Sequence, residues 1–181
     1  MEQIWAPWRM EYIRMEKPKG CFLCDEPNED DDECNFILYR GKWNFVVMNN
    51  YPYNPGHLLA VPFREVAEPA DLDPVERADL MEIIVVAQQV LRAAVNPDGF
   101  NIGFNLGSAA GGSIAHLHAH IVPRWIGDTN FMPVLGETRV LPQALESTYD
   151  RLVAVLPGVL AGKGRPRGRR PKSKRPHRKT R

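Results

Sequence analysis

The sequence predicts an α+β domain in which antiparallel strands and helices are segregated. Three observations carry that expectation. Short apolar runs recur between turn-forming stretches over residues 36–62 and 100–121. One long stretch, residues 74–95, instead keeps apolar residues at helical spacing. Finally, His116, His118 and His120 alternate with Leu117, Ala119 and Ile121. This is the two-residue period of a strand with one face in the core. On a helix the same imidazoles would spread over about 200° of the circumference and share no site.

Each element has its own local grounds. Ile4, Trp5, Trp8 and Tyr12, mixed with Pro7 and Arg9, form an aromatic arm that needs burial on its own domain or on a partner subunit. Cys21 and Cys24 follow in a Cys-x-x-Cys, and the acidic loop Asp25 to Glu33 ends at Cys34. Phe36 to Tyr39 and Trp43 to Met48 read as a hairpin around Arg40-Gly41-Lys42. Asn49 to Gly56, rich in Asn and Pro, reads as a loop, and Leu58 to Pro62 as the next strand. Asp73 as cap, Pro74 at the first position and Glu76 in the first turn begin a helix. It runs to about Val95 and stops before Asn96-Pro97, where the proline disfavours helix in the residue preceding it. Leu80, Ile83, Ile84, Ala87, Val90, Leu91 and Ala94 give it one apolar face for the sheet. Phe100 to Asn105 is a further strand, the histidine strand follows, and Pro142 to Leu156 forms a short terminal helix. The expectation is one long helix and one short helix on an antiparallel sheet, with no internal repeat.

With 181 residues and 44% hydrophobic content, the chain suffices for one domain with a real core. It has no apolar run of bilayer length, and its start lacks the basic-then-apolar pattern of a signal peptide. Three cysteines are too few for a secreted disulfide scaffold, so a soluble protein of the reducing cytoplasm is expected. The net charge of +1 conceals an asymmetry. Residues 163–181 hold 11 of the 23 Lys and Arg and no acid, so the other 12 face all 22 acids and leave the body near −10. The tail has no apolar residue beyond its prolines and cannot offset its ordering entropy by burial. Residues 1–160 are therefore expected to form a catalytic domain and 161–181 a disordered basic tail. Such a tail either binds polyanions without sequence preference or merely solubilises the chain.

Alternating imidazoles on a half-buried strand suit metal ligation or covalent catalysis at neutral pH. The approach to them, Asn105 to Ser113, is rich in glycine and serine. Gly107, Gly111 and Gly112 let backbone N–H groups come close to anionic oxygens, and Asn105 and Ser113 add side-chain donors. Cys21-x-x-Cys24 has the spacing of half a zinc site. The plainer readings are solvated histidines on an edge strand, an ordinary glycine-rich hairpin loop, and free reduced thiols.

The segment His116-Leu-His118-Ala-His120-Ile-Val resembles the signature of the histidine triad superfamily of nucleotide hydrolases and transferases. Asn105 to Ser113, and Pro55-Gly56-His57 followed by Leu58 to Pro62, resemble that family's nucleotide-site segments. Trp5 to Tyr12, Tyr51 to His57 and Pro123 to Phe131 resemble more narrowly its bacterial diadenosine tetraphosphate phosphorylase branch. The resemblance covers about residues 4–157.

It implies a HIT-like antiparallel sheet, dimerised into a continuous one. It also implies His118 as the nucleophile that forms a nucleotidyl-imidazole, with His120 donating to phosphoryl oxygens and His57 supporting the triad. Asn49 would hold the ribose, and Val47 and Leu59 would wall the adenine. Many hydrolases of the superfamily carry glutamine where Gly112 stands, so this departure favours phosphorolysis. The implied ligands are adenine nucleotides, dinucleoside polyphosphates and inorganic phosphate, with Arg9 and Arg124 as candidate positive charges. In zinc-bearing relatives the remaining ligands correspond to His116 and to Glu65, where a histidine is usual; Cys34 is the alternative. No organic cofactor is implied. Hydrolysis of dinucleoside polyphosphates or nucleoside phosphoramidates is the runner-up. A nucleotide-binding regulator with a nucleic-acid-binding tail is the reading from another class, and the intact triad weighs against it.

Overall fold

Every strand predicted from the sequence forms, and together they make one sheet. The computed structural model describes residues 21–29, 31–112, 114–128 and 144–162. Strands β1 (Ile37–Arg40), β2 (Asn44–Met48), β3 (Leu58–Pro62), β4 (Gly99–Phe104) and β5 (Ala119–Arg124) lie in the order β1-β2-β3-β5-β4. All four pairings are antiparallel. At the β1–β2 turn, Gly41 N–H donates to the Asn44 carbonyl at 2.8 Å. A Cβ on Gly41 would stand 2.9 Å from that oxygen, so the turn excludes a side chain.

The described residues contain three α-helices rather than the expected long and short pair: α1 (Phe22–Asp25), α2 (Pro74–Val95) and α3 (Leu145–Gly162). α2 starts as its sequence predicts, with Asp73 extended and the Asp73 N–H donating to Glu76 Oε2 at 2.8 Å. Arg64 holds the same carboxylate at 2.6 Å and keeps it well below the usual glutamate range. The helix ends at Asn96, which adopts a left-handed φ of 46° just before Pro97. α3 runs past the predicted end at Leu156 and through Pro157 to Gly162, because Val159 and Leu160 still pack on the core. Its predicted start at Pro142 lies outside the described residues, as do the aromatic arm and residues 163–181 of the basic tail, whose first two expected residues, Ala161 and Gly162, close the helix instead. No described helix is long and apolar enough to cross a membrane.

The two faces of the sheet are unequal. α2 and α3 cover Val46, Met48, Leu58, Ala60, Ala119 and Ile121 in the main core. On the opposite face α1 sets Leu23 over Ile37, Phe45, Val47, Leu59 and Val61. The histidines occupy the rest of that second face.

One expectation changes here. His116 and His118 are not in the regular strand, which starts only at Ala119. Leu117 N–H donates to the Val66 carbonyl at 2.7 Å, so the chain approaches the sheet from the loop after β3 rather than paired with β3 or β4. The alternation survives, with Leu117, Ala119 and Ile121 all in the main core.

Candidate active site

Hydrogen bonds fix the tautomer of each imidazole, and the tautomers decide what each can do. His118 places Nδ1 2.7 Å from the carbonyl of His116. A carbonyl only accepts, so Nδ1 carries the proton and Nε2 keeps its lone pair. The residue is 9% exposed, at the edge of the buried interior.

His57, fully buried at the start of β3, receives the Tyr53 backbone N–H at Nδ1, 3.1 Å away. Asn49 Nδ2 adds a longer contact of 3.3 Å to the same nitrogen. The His57 proton therefore sits on Nε2, which donates to His120 Nδ1 at 3.0 Å. His120 in turn must carry its proton on Nε2. That atom lies 3.2 Å from Asn105 Nδ2, itself a donor, so a protonated Nε2 requires the amide to be turned until its oxygen accepts. The His120 ring meets His118 edge-on at 4.9 Å between centroids.

His116 faces the other way. Its Nε2 donates to the Pro62 carbonyl at 2.8 Å, while Nδ1 lies 3.2 Å from Cys21 Sγ and 3.3 Å from Cys24 Sγ. These three ligand atoms lie within 4.8 Å of one another and form a cluster able to hold a metal ion. Soft thiolates with an imidazole oriented by a backbone carbonyl suit zinc. Burial is the main cause that pushes the Cys24 thiol up to about 12, and Cys21 and Glu65 add to it. Glu65 acts on the Cys24 thiol but is not one of the three clustered ligand residues. Cys34 is not in the cluster: it is exposed, and its thiol bonds Asp31. Burial also lowers the His116 pKa and keeps the ring neutral for ligation.

The glycine loop closes on itself, with Gly112 N–H donating to the Gly107 carbonyl at 3.0 Å. Gly107 and Gly111 both take positive φ, 75° and 84°. A Cβ on Gly112 would lie 2.9 Å from the carbonyl oxygens of both Asn105 and Gly107, so this loop shape refuses glutamine there. Backbone occupies the place a side chain at position 112 would take. Ser113 and Arg9 lie outside the described residues.

Several residues with implied nucleotide contacts have partners within the protein. Asn49 is already engaged, its Oδ1 accepting the Tyr51 N–H at 2.8 Å while Nδ2 reaches His57. Val47 and Leu59, expected as adenine walls, are 2% and 5% exposed beneath Leu23 and belong to the small core. Arg124 is committed to Asp128 at 2.6 Å and to Asn101 at 2.9 Å rather than aimed at the histidines. Sequence reasoning gave no role to Tyr53, Asn54 or Asp128, although all three lie in stretches that carried the resemblance.

A HIT domain model matches residues 32–125. A Mycobacterium tuberculosis protein named AP-4-A phosphorylase is 42% identical over 163 residues, which is 85% of this chain and 83% of that protein. An asymmetrical bis(5'-nucleosyl)-tetraphosphatase of Schizosaccharomyces pombe is 38% identical over 88 residues, 49% of this chain and 48% of its own. In fold, the chain is similar to a Zn-bound histidine triad family protein of Mycobacterium smegmatis. Its TM-score is 0.64 at 22% identity, covering 79% of this chain and 97% of the other.

Proposed function

Because this chain belongs to the HIT domain family, we propose that it is a nucleotidyltransferase that cleaves diadenosine tetraphosphate with inorganic phosphate to give ATP and ADP. One observation carries the chemistry: His118 has its Nδ1 taken by the His116 carbonyl, which leaves a lone pair on Nε2, and its ring packs edge-on against His120, whose Nδ1 is taken by His57. His118 Nε2 attacks an α-phosphorus. The P–N bond forms as the bond to the bridging oxygen breaks, and ATP departs with that oxygen. ATP is stable as an anion, so the step needs little general-acid help, and two easier displacements replace one difficult one.

His120 Nε2–H donates to a phosphoryl oxygen, exchanging the Asn105 amide for the ligand. Asn105, Gly107 and Ser113 are the neutral donors to the phosphates, while Gly111 and Gly112, whose N–H groups are spent on the Ser108 and Gly107 carbonyls, shape the loop around them. Phosphate then attacks the same phosphorus, ADP leaves, and the imidazole is regenerated. The 42% identical relative named as a phosphorylase supports phosphate over water as acceptor.

Zinc held by Cys21, Cys24 and His116, with Glu65 beside Cys24 as fourth ligand, would tie α1 to the base of the histidine segment as a structural ion. A homodimer joined along β4 is supported by that strand's place at the sheet edge and by exposed Ile102, Phe104 and Leu106. Three free cysteines support a reducing, cytoplasmic setting. The catalytic domain ends near residue 160, and the basic tail that follows binds polyanions non-specifically or only solubilises.

Incubation of diadenosine tetraphosphate with labelled phosphate tests the reaction class. The label is expected in ADP, with ATP formed in equal amount. AMP and ATP appearing at the same rate without phosphate would show a hydrolase instead.

A further inference from the structure

His120 is a donor only because His57 is, and His57 is a donor only because the Tyr53 amide occupies its Nδ1. The loop between β2 and β3 therefore sets the tautomers, and its position on β5 matters. The turn Asn54-Pro55-Gly56-His57 closes with the His57 N–H on the Asn54 carbonyl at 3.1 Å. Gly56 adopts φ 78°, the left-handed conformation a type II turn needs after proline. A second tie lies three residues before His57. Asn54 Nδ2 spends both its protons across the sheet end, on the Pro123 carbonyl at 3.1 Å and on Asp128 Oδ2 at 3.0 Å. Asp128 is itself fixed by Arg124, at 2.6 Å through Nε and 2.8 Å through the second nitrogen, and by the Trp125 N–H at 3.2 Å.

We propose that Asn54 and Asp128 are positioning residues that clamp this loop to β5 and thereby hold His57 and His120 as Nε2–H tautomers. Two ties, His57 to His120 and Asn54 to Pro123, are three residues apart on both the loop and the strand. One alone would let the loop pivot; two fix its register. Tyr53 completes the arrangement by stacking on His57 at 4.8 Å, which keeps its amide aimed along the ring plane rather than over it. Without the clamp, the Tyr53 amide leaves Nδ1, the proton of His57 is free to move there, and His120 loses its reason to present Nε2–H. The catalytic consequence rests on the nucleotidyl-transfer reading, whereas the tautomer claim does not.

The test uses the full chain with nitrogen-15 histidine and compares wild type with Asn54→Ala and Asp128→Asn. Long-range proton–nitrogen spectra should show His57 and His120 of the wild type as single Nε2–H tautomers. In both variants His57 should become a mixture. Turnover number for diadenosine tetraphosphate should fall on the order of tenfold to a hundredfold, with KM changed less than about threefold, because misplaced donors cost rate more than binding. An Nδ1–H tautomer at His57 or His120 in the wild type overturns the proposal, a measurement that needs no variant to fold and no activity. Unchanged tautomers in both variants, or altered tautomers with an unchanged turnover number, also overturn it. If the wild type shows the expected tautomers but no nucleotidyl transfer, the clamp stands and the proposed reaction falls.

Discussion

The two ends of the imidazole row differ in what they offer. His116 and His120 are the same residue type four positions apart on one alternating stretch. At one end Nε2–H is spent on a carbonyl and Nδ1 looks at two sulfurs. At the other, Nδ1 is occupied by His57 and Nε2–H looks towards the glycine loop. One end can hold a metal ion, and for the other we propose donation to a phosphate. The difference comes entirely from partners distant in sequence: Pro62 and the Cys-x-x-Cys for one, His57 and its loop for the other. Between them His118 takes a third arrangement from its own neighbour's carbonyl.

The largest effect expected from breaking this pattern is at the middle. His118→Ala should lower turnover on the order of 10⁴-fold or more while nucleotide binding, measured by calorimetry, stays close to wild type. At the donor end, His120→Ala removes one N–H from the phosphoryl oxygens and should cost on the order of 10²-fold in turnover, with the melting temperature little changed. The thiol end should behave in the opposite way. Cys24→Ser should lower zinc content from near one per chain and reduce the melting temperature by roughly 5 °C or more, while turnover per folded molecule stays near wild type. Equal losses of turnover at the two ends would erase the distinction.

The alternation and its apolar partners were legible in the sequence because a two-residue period is local. So were the caps and face of α2, which depend on residues only three or four apart. The start of β5 was not, since it depends on Leu117 leaving the sheet for the Val66 carbonyl. Nor were the buried states of Val47 and Leu59, which come from Leu23 on a four-residue helix too short to carry a periodic signal. Asn49, a ribose ligand by the resemblance, also bonds Tyr51 and His57, contacts that its residue type alone does not announce. Tyr53, Asn54 and Asp128 lay in quoted motifs, but their work is done through a backbone amide and a cross-sheet tie that no spacing rule reports.

A change remote from both ends gives the smallest expected effect and serves as a control. Glu76 is held ionised by Arg64 and by the Asp73 N–H, so its folded-state pKa lies below the unfolded one. Its stabilisation is present above the ordinary glutamate range and is lost as pH falls through the lower folded value. Glu76→Gln should therefore lower the melting temperature modestly at neutral pH. The gap to wild type should close in acid, with both ends of the row unaffected at any pH where the chain is folded.

The central claim is that His118 Nε2 becomes covalently nucleotidylated. Mixing the protein with diadenosine tetraphosphate in the absence of phosphate, quenching in alkali, where a phosphoramidate survives, and mapping peptides by mass spectrometry tests it directly. The expected result is an AMP adduct on His118 that acid removes and that added phosphate discharges as ADP before the quench. Turnover with no adduct on His118, or an adduct on another residue that phosphate discharges at the turnover rate, would contradict the account.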